Sequence, residues 1–456
     1  MSKTEFITEP EKKIPVLLDV DVVVVGAGSA GPFAAIAAGR MGLKTVLIER
    51  FGALGGNLTI GMNNKPSGAL LGGIPMEFWK RLQKQGAAGT SYIADLEGKQ
   101  TIELCAPCDS EIAKLELTKM CIEAGVTILF ECLAAAPIMD GSTIKGVIIE
   151  AKGGRQAILG KVVVDCSADG DIAAQAGSPF ILGNEKGDMQ PVSLFFKVNQ
   201  VDMKKFAEWA LANPEDVPQR AISKDNWEYN IWATGFTKLL QKFQKDKGVK
   251  LVRENITLKT VKGDTEIYCN NTRVIESSGL DVLDISKAIP EIYRQIELNM
   301  QFLKEYIPGF ENAYINQVSS ILGVRETRHF LSDHMLTIDD VTKSGKFEDS
   351  IGVDKAAMDI HDVKGGGMRF EDYPPYEIPY RVLLPQKVEQ LLVAGRCISA
   401  DHYAHGRTRN IPACMTTGQA AGFAAAIAVK TGKNVRDIDI KLLQEEIKKT
   451  NMPIKA

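Results

Sequence analysis

The sequence has few histidines, few aromatic residues and no excess of positive charge. Five histidines and 7% aromatic residues are spread over 456 positions, and 54 lysines and arginines stand against 57 aspartates and glutamates, which gives a net charge of -3. A nucleic-acid-binding protein would need a dense basic surface. The sequence also lacks an apolar run of the roughly 18 residues that a membrane-spanning helix requires. We therefore expect neither a nucleic-acid partner nor a membrane span.

The eight cysteines are scattered and do not form the framework of a disulfide-rich secreted protein. The N-terminal stretch MSKTEFITEPEKKIPV lacks the apolar segment of a secretion signal, so we expect a cytoplasmic location. One pair, Cys105 and Cys108, has C-x-x-C spacing. Without a second pair it cannot complete a tetrahedral zinc site, and no metal site is predicted. The same spacing would suit a redox dithiol, although a structural or incidental interpretation is favoured.

The stretch DVDVVVVGAGSAGPFAAIAAGRMGLKTVLIER carries the strongest functional signal. A β-branched strand leads into G-x-G-x-x-G, a helix of small residues, a second strand and an acid, which is the context that makes the glycine motif specific for a dinucleotide. Gly26 permits the tight turn, Gly28 lets the backbone approach the pyrophosphate, and Gly31 lets helix and strand pack closely. Glu49 stands where an acid accepts hydrogen bonds from a ribose, and the N-terminus of the helix favours phosphates.

Further blocks extend this pattern over residues 14–429. After Glu49 the chain continues with the glycine-rich RFGALGGNLTIGMNNKPSG, where a simple NAD domain would continue with another strand and helix. Later blocks are AGVTILFECLA, VVVDCSADGDIAAQAG and LLVAGRCISADHYAHGRTRNIPACMTTGQAAG. With these motifs the sequence resembles the FAD-dependent oxidoreductase family of the glutathione-reductase-type flavoprotein superfamily, which is distantly related to the fumarate reductase flavoproteins.

The resemblance implies FAD as the cofactor, with the adenosine ribose on Glu49 and the adenine near the backbone of Ala134. Two positions depart from the common pattern: Ala168 replaces a frequent glycine, and Arg396 stands where many flavoproteins have an acid. The cofactor-binding residues implied by the resemblance are Gly26, Gly28, Ser29, Ala30, Gly31, Glu49, Arg50, Gly55, Gly56, Asn57, Ala134, Ser167, Ala168, Asp169, Gly395, Arg396, Asn410 and Ile411.

The implied fold class is α/β, with a Rossmann-like FAD-binding domain (parallel sheet, helices and a β-meander) and an inserted α+β substrate domain. The expected boundaries are 16–194 for the first part of the FAD domain, 195–375 for the substrate domain, 376–432 for the second part of the FAD domain, and 433–456 for a C-terminal helix. No second G-x-G-x-x-G is present. Electrons are therefore expected to pass to or from an external donor or acceptor.

The stretch DHYAHGRTRN holds two of the five histidines and precedes a helix of small residues that is expected to begin near Asn410. In the flavoprotein family that this sequence resembles, such a helix points its N-terminus at the flavin ring. The positive end of the helix dipole stabilises the negative charge of the reduced ring. A second cluster, GVRETRHFLSDH, would show Arg325 and His329 on adjacent helical faces. The predicted catalytic residues are His402, His405, Arg407, Arg325 and His329, with Arg409 as a further candidate.

The alternatives for these residues are a solvated charged loop and an internal salt-bridge network on Glu326. Arginine suits a carboxylate, and histidine suits acid–base work near pH 7. The leading hypothesis is an FAD-dependent oxidoreductase that transfers a hydride between flavin N5 and a small organic, carboxylate-bearing substrate. The alternatives are an FAD-dependent dehydrogenase or oxidase of a neutral polyol, sugar or amine, and an electron-transfer flavoprotein subunit serving a partner. A homo-oligomer is left open.

Overall fold

The fold is described from a computed structural model, which describes residues 7–94, 100–223, 230–260 and 265–456. None of the helices in these ranges combines the length and apolarity needed to cross a membrane. The elements up to residue 182 are β1 (Val16–Val25), α1 (Gly31–Arg40), β2 (Thr45–Ile48), a 3-10 turn (Gly56–Leu58), α2 (Gly73–Lys84), β3 (Ala88–Ala94), β4 (Gln100–Cys108), α3 (Ser110–Glu123), β5 (Thr127–Leu129), β6 (Leu133–Asp140), β7 (Thr143–Ala151), β8 (Gly154–Asp165), α4 (Asp171–Gln175) and β9 (Phe180–Leu182).

Six of these strands lie in the order β5-β2-β1-β8-β7-β6 within a seven-stranded sheet, whose seventh strand comes from the end of the chain. The strands β5, β2, β1 and β8 run parallel, while β6, β7 and β8 form an antiparallel meander. The valines from Val22 to Val25 are buried because both faces of this central strand are covered, as the continuous β-branched run predicts.

A second, antiparallel sheet has the strand order β11-β12-β13-β14-β10-β15. It has its own apolar core, to which the long helix α7 contributes one face. The elements from 196 to 318 are β10 (Phe196–Asn199), α5 (Met203–Ala212), β11 (Gln219–Ser223), β12 (Asn230–Gly235), α6 (Thr237–Lys247), β13 (Ile256–Thr260), β14 (Ile267–Cys269), α7 (Val282–Tyr306) and β15 (Tyr314–Val318).

The last part of the chain returns to the first sheet. The remaining elements are β16 (Arg328–Phe330), α8 (Ile338–Thr342), β17 (Ser350–Asp354), β18 (Met358–His361), β19 (Met368–Glu371), β20 (Tyr376–Pro379), a 3-10 turn (Tyr380–Leu383), β21 (Leu391–Val393), α9 (His402–Thr408), α10 (Ile411–Thr431) and α11 (Ile440–Lys449). Strand β21 pairs in parallel with β8. This mixed α/β architecture confirms the predicted fold class, whereas the exact domain boundaries stay a prediction.

Helix α10 packs so closely against α1 that the two helix backbones are in contact. A Cβ atom at Gly418 would lie 2.2 Å from the carbonyl oxygen of Ala30, and one at Gly422 would lie 2.1 Å from that of Ala34. Such an approach leaves room only for glycine. The contact therefore joins the N-terminal nucleotide motif to the C-terminal helix and fixes where α10 begins.

We expect Gly418→Val to lower the free energy of unfolding by about 1–3 kcal/mol, because the added methyl groups force α1 and α10 apart. Chemical denaturation would measure the change. Gly153→Ala is the control, since Gly153 is exposed and a Cβ there meets no atom within 4 Å; we expect a change within about 0.5 kcal/mol. Equal effects of the two substitutions would contradict the packing argument.

Candidate functional site

A cavity of about 1730 Å³ lies between the glycine turn after β1, the loop after β8, the start of α10 and the face of β12 and β13. Most of the residues predicted to bind the cofactor line it, whereas Gly31, Gly55 and Asn410 do not. The predicted residues that line the cavity are Gly26, Gly28, Ser29, Ala30, Glu49, Arg50, Gly56, Asn57, Ala134, Ser167, Ala168, Asp169, Gly395, Arg396 and Ile411.

The three glycines of the motif have different surroundings. Gly26 has a φ of +84°, in the left-handed region that favours glycine. A Cβ at Gly31 would lie 1.9 Å from the carbonyl oxygen of Gly26, so this position serves the packing of α1 on β1. A Cβ at Gly28 would meet no protein atom within 4 Å, and Gly28 lines the cavity. The bare backbone at Gly28 therefore faces space that a ligand can fill.

The carboxylate of Glu49 holds the glycine turn as well as lining the cavity. Its Oε2 accepts a hydrogen bond from the Ala27 N–H at 2.7 Å, and its Oε1 accepts one from the Phe51 N–H at 2.9 Å. Burial raises the pKa of Glu49, although these backbone donors oppose the shift. An acid at this place suits a ribose, which brings hydroxyl donors.

The glycine-rich segment after Glu49 folds over the turn. Gly55 N–H donates to the carbonyl of Ala27 at 2.8 Å, and a Cβ at Gly56 would lie 2.8 Å from the Cα of Gly28. Next to it, the Oδ1 atom of Asn57 is buried without a hydrogen-bond partner in the described part of the chain. A buried, unpaired acceptor on the cavity wall is what a bound polar ligand would satisfy.

The buried Asp165, which the sequence reasoning missed, builds the loop after β8. Its carboxylate accepts hydrogen bonds from the N–H groups of Ser167, Ile172 and Ala173 at 2.8–3.0 Å. In the loop that it closes, Ala168 has a φ of +74°. A positive φ favours glycine, which agrees with the glycine expected at position 168 from the resemblance to the flavoprotein family. The pattern of an acid at the end of a buried strand, followed by small residues, was the available signal.

Arg396 binds the same loop. Its guanidinium donates to Oδ1 of Asp169 at 2.6 Å and to the carbonyl of Val324. Thr327 Oγ1 also donates to Oδ1 of Asp169 at 2.6 Å. Arg396 therefore connects the loop after β8 to the strand end at Gly395, and both Arg396 and Asp169 line the cavity.

Helix α10 begins at Ile411, as predicted, with Asn410 as its N-cap residue. The Asn410 amide donates to the carbonyl of Arg407 at 3.0 Å and so points away from the cavity. Ile411, Cys414 and the preceding Arg409 line the cavity. The first turn of the helix therefore faces the cavity with its free backbone N–H groups.

The expectation that Arg407 reaches a ligand needs correction. Arg407 is fully buried and does not line the cavity. Its Nε donates to the carbonyl of Ala356 at 2.8 Å, its Nη1 donates to the carbonyls of Val341 and Pro374, and its guanidinium lies 4.7 Å from the centre of the Tyr376 ring. Arg407 stands two residues before Arg409, and each helical residue turns the side-chain direction by about 100°, so the two side chains point in different directions. Arg407 therefore holds the surrounding loops.

The predicted histidines form a buried cluster around Glu326 and also do not line the cavity. Glu326 Oε1 lies 2.9 Å from Nε2 of His329 and 2.7 Å from Nδ1 of His402. The rings of His329 and His405 meet edge to face with centres 4.6 Å apart, and Nε2 of His405 lies 3.0 Å from the carbonyl oxygen of Arg325. The network on Glu326, one of the alternatives considered, is therefore the arrangement present.

The cluster has defined donors. A carboxylate and a carbonyl can only accept, so His329, His402 and His405 each donate from the nitrogen that faces them. Burial by itself raises the pKa of Glu326, but the hydrogen bonds from His329 and His402 outweigh it and lower that pKa. Burial lowers the pKa of His405. The segment that carries Glu326 is extended, with Arg328 in β16, and the expected helix is absent from it.

Another part of the cavity wall is rich in cations that sequence reasoning missed. We call it the cationic pocket. Its signal in the sequence was the alternation of β12 and β13, which sends Ile231, Ala233, Ile256 and Leu258 into the core and the polar side chains to the other face. The residues that define the cationic pocket are Lys65, Trp232, Thr234, Arg253, Thr257, Lys259, Arg325, Asp359, His361 and Arg409.

A chain of contacts fixes the acid of the cationic pocket. The guanidinium of Arg273 contacts Nδ1 of His361 and can only donate, so the His361 proton is on Nε2, 3.2 Å from Oδ1 of Asp359. Burial and the charge of Arg325 lower the pKa of His361 to about 3, which keeps the ring neutral. Arg409 donates to Oδ2 of Asp359 at 3.1 Å and to its carbonyl oxygen.

The C-x-x-C pair gives no support to a dithiol. Cys108 is buried at the end of β4, and the side chain of Cys105 lies outside the part of the structure that is described. The redox role of Cys105 and Cys108 therefore stays as open as it was from the sequence. Among the described residues, no group of acids, cysteines and histidines has the arrangement of a metal site.

We expect Glu326→Gln to lower the free energy of unfolding by about 3 kcal/mol at pH 7, because it removes the charge that pairs with two buried histidines. The folded-state pKa of Glu326 is lowered, so its contribution is present above the pKa of the unfolded state and lost as pH falls. The difference between wild type and variant should therefore shrink below about pH 4. Urea denaturation at several pH values would measure it, with the exposed Glu297→Gln as control.

Comparisons with known proteins identify the family of the chain. A family model described as FAD dependent oxidoreductase matches residues 21–447. Dihydrolipoyl dehydrogenase from Trypanosoma brucei brucei is 52% identical over 58 residues, so the match spans only 12% of this chain and 12% of that enzyme.

Two solved structures are similar over most of the chain. One is a geranylgeranyl bacteriochlorophyll reductase-like protein from Thermoplasma acidophilum (TM-score 0.47, 13% identity, 94% of this chain and 83% of that chain). The other is p-nitrophenol 4-monooxygenase PnpA from Pseudomonas putida DLL-E4 (TM-score 0.47, 11% identity, 94% of this chain and 84% of that chain). At this distance the two structures carry no argument about substrate. The family match spans most of the chain, and FAD as cofactor and oxidoreductase as enzyme class are confirmed: the chain belongs to the FAD-dependent oxidoreductase family.

Proposed function

We propose that the enzyme exchanges two electrons between FAD and a small, anionic, carboxylate-bearing molecule. The observation that carries this proposal is the surplus of cations in the cationic pocket. Asp359 already pairs with Arg409, whereas Nη1 of Arg253 and Nε of Arg409 are buried without a hydrogen-bond partner in the described residues. Buried charged donors need an acceptor, and a carboxylate would supply it.

The chain offers a fitting place for the cofactor. The open backbone at Gly28, the unpaired Oδ1 of Asn57 and the carboxylate of Glu49 lie along one wall of the cavity. The loop held by Asp165 and the first turn of α10 complete it. In this proposal the glycine turn takes the pyrophosphate, Glu49 takes the ribose, and the N-terminus of α10 faces the ring system.

Bound FAD supplies the two-electron donor or acceptor. The protein's part is then to orient the substrate. Arg409 precedes the first turn of α10 and is held by Asp359, while Arg325 is tied at one nitrogen to the carbonyl of Pro191 at 2.6 Å. Both line the cavity. We propose that their remaining N–H groups bind the carboxylate, in place of the predicted Arg407.

A neutral polyol, sugar or amine is the less favoured substrate, because it would leave the charge of Arg253 without a counter-ion and the Nε of Arg409 without an anionic acceptor. The relation to the glutathione-reductase-type superfamily and to fumarate reductase flavoproteins remains a prediction, as does the external electron partner. Anaerobic bleaching of the flavin absorbance against matched sets of carboxylates and neutral alcohols or amines, with and without NADH or NADPH, tests the proposal. Bleaching by the neutral set alone would contradict it.

We expect Gly28→Val to abolish FAD binding while the protein still folds. A Cβ at this position meets no protein atom within 4 Å, and the valine side chain would occupy the cavity where the backbone would approach the pyrophosphate. Flavin absorbance after purification and the melting temperature of the apoprotein are the measurements. Gly153→Val, at an exposed position, should retain FAD. A Gly28→Val protein with one FAD per chain would refute the placement.

We expect Arg409→Gln to cost about 2–4 kcal/mol in kcat/KM for the substrate identified by bleaching, because a preorganised cation is lost while FAD stays bound. Arg409→Lys should recover part of the loss, since a lysine keeps the charge but loses the planar fork. Steady-state kinetics would measure both. Arg294→Gln, which removes an exposed cation from α7, is the control and should leave kcat/KM unchanged.

A further inference from the structure

The floor of the cationic pocket is a polar face of the second sheet. Trp232 and Lys259 are cross-strand partners on β12 and β13, and Thr234 and Thr257 are partners two residues further along each strand. The hydroxyl oxygens of the two threonines lie 3.1 Å apart. All four side chains line the cavity. This face therefore places one ammonium group beside hydroxyl groups and an indole ring, on strands that are rigidly paired.

Arg253, just before β13, extends this floor. It is only 3% exposed, and two of its nitrogens donate to the carbonyl and side-chain oxygens of Asn255 at 3.0 and 3.1 Å. Its third nitrogen, NH1, has no partner in the described residues. The guanidinium is thus held in a fixed orientation with one charged donor unused.

Lys259 stands in a positive environment. Neither an ion pair nor a hydrogen bond connects its ammonium to the described residues, and the charges that act on it are those of Lys65, Arg253 and Asp359. The ammonium of Lys65 lies over the Trp232 ring, 5.6 Å from its centre. Arg253 and Lys259 both face Asp359, which already pairs with Arg409, so among the described residues this corner holds more positive than negative charge.

We propose that Arg253 and Lys259 form a second anion-binding site, so that the substrate carries two anionic groups, one at Arg409 and Arg325 and the other on this sheet. The inference rests on the proposed function, because it extends the same pocket. The two sites stand on different elements: Arg409 precedes α10, while Lys259 is in the middle of a strand of the second sheet. A carboxylate and a phosphoryl group share the chemistry that this corner would bind.

A protonation effect accompanies the site. Burial, then Lys65, lower the pKa of Lys259 to about 8, with Arg253 acting in the same direction and Asp359 against it. An anion beside the amine favours its charged form. Binding of the second anionic group should therefore take up a proton near pH 8, and affinity should fall as pH rises above about 8.

The test uses the FAD-loaded enzyme and measures dissociation constants by calorimetry. The probes are the α,ω-dicarboxylates from succinate to suberate, the monocarboxylates of equal carbon number, and phosphonoacetate and 3-phosphonopropionate. We expect the best dianion to bind at least 10-fold more tightly than its monoanionic match. If the phosphonates bind more tightly than the dicarboxylates, the second anionic group of the substrate is a phosphoryl group. If the dicarboxylates bind more tightly, it is a carboxylate.

Lys259→Gln should remove most of the dianion preference, leave monoanion affinity within about 3-fold and remove the fall in affinity above pH 8. Arg253→Gln should weaken dianion binding more than monoanion binding. The exposed Lys250→Gln should change neither. Equal binding of mono- and dianions by wild type, or an equal loss of both in Lys259→Gln, would overturn the second site. Arg409→Gln tests the proposed function separately, because it should weaken the binding of monoanions and dianions alike. If neither affinity changed, the first site at Arg409 would be refuted. The second site is judged only by the variants of Lys259 and Arg253.

Discussion

Helix α10 lies against α1 with Gly418 and Gly422 touching the carbonyls of Ala30 and Ala34, and this close approach sets the position of everything around the cavity. It brings a helix from the end of the chain onto the helix of the nucleotide motif. The first turn of α10 and Arg409 can reach the cavity only because the two backbones meet without side chains between them.

The loops around the cofactor region are held by hydrogen bonds within the protein. The acids that hold the loops are buried and use backbone N–H groups as partners: Glu49 binds the glycine turn and Asp165 the loop after β8. Since both carboxylates are engaged with the protein itself, the cavity wall is fixed before any ligand arrives. Preorganised walls of this kind lose little freedom on binding.

Charge is distributed unevenly along the cavity. Acids lie mainly on the wall of the glycine turn and the loop after β8, whereas cations dominate the face of the second sheet and the segment before α10. Asp359 lies among these cations and is held by Arg409 and by the neutral His361. An anionic substrate is the physical consequence that we draw, because unpaired buried cations are costly.

Local order in the sequence determined the nucleotide motif. Strand, glycines, helix and acid follow one another within the range where backbone propensity and spacing decide the structure, and Gly26, Gly28 and Glu49 lie where the sequence predicted. The start of α10 was equally predictable from Asn410 and Pro412.

Side-chain direction was decided only by the tertiary structure. Four predicted site residues are close neighbours in the sequence: His402, His405, Arg407 and Arg409. Each residue of a helix points about 100° away from the one before it, and of these four side chains only that of Arg409 lines the cavity. Arg253, Lys259 and His361 join it from segments up to about 150 residues away in the chain, a juxtaposition that no local pattern encodes. The sequence by itself therefore determined the cofactor and its fold, while the packing of the second sheet against the nucleotide motif decided which charges line the cavity.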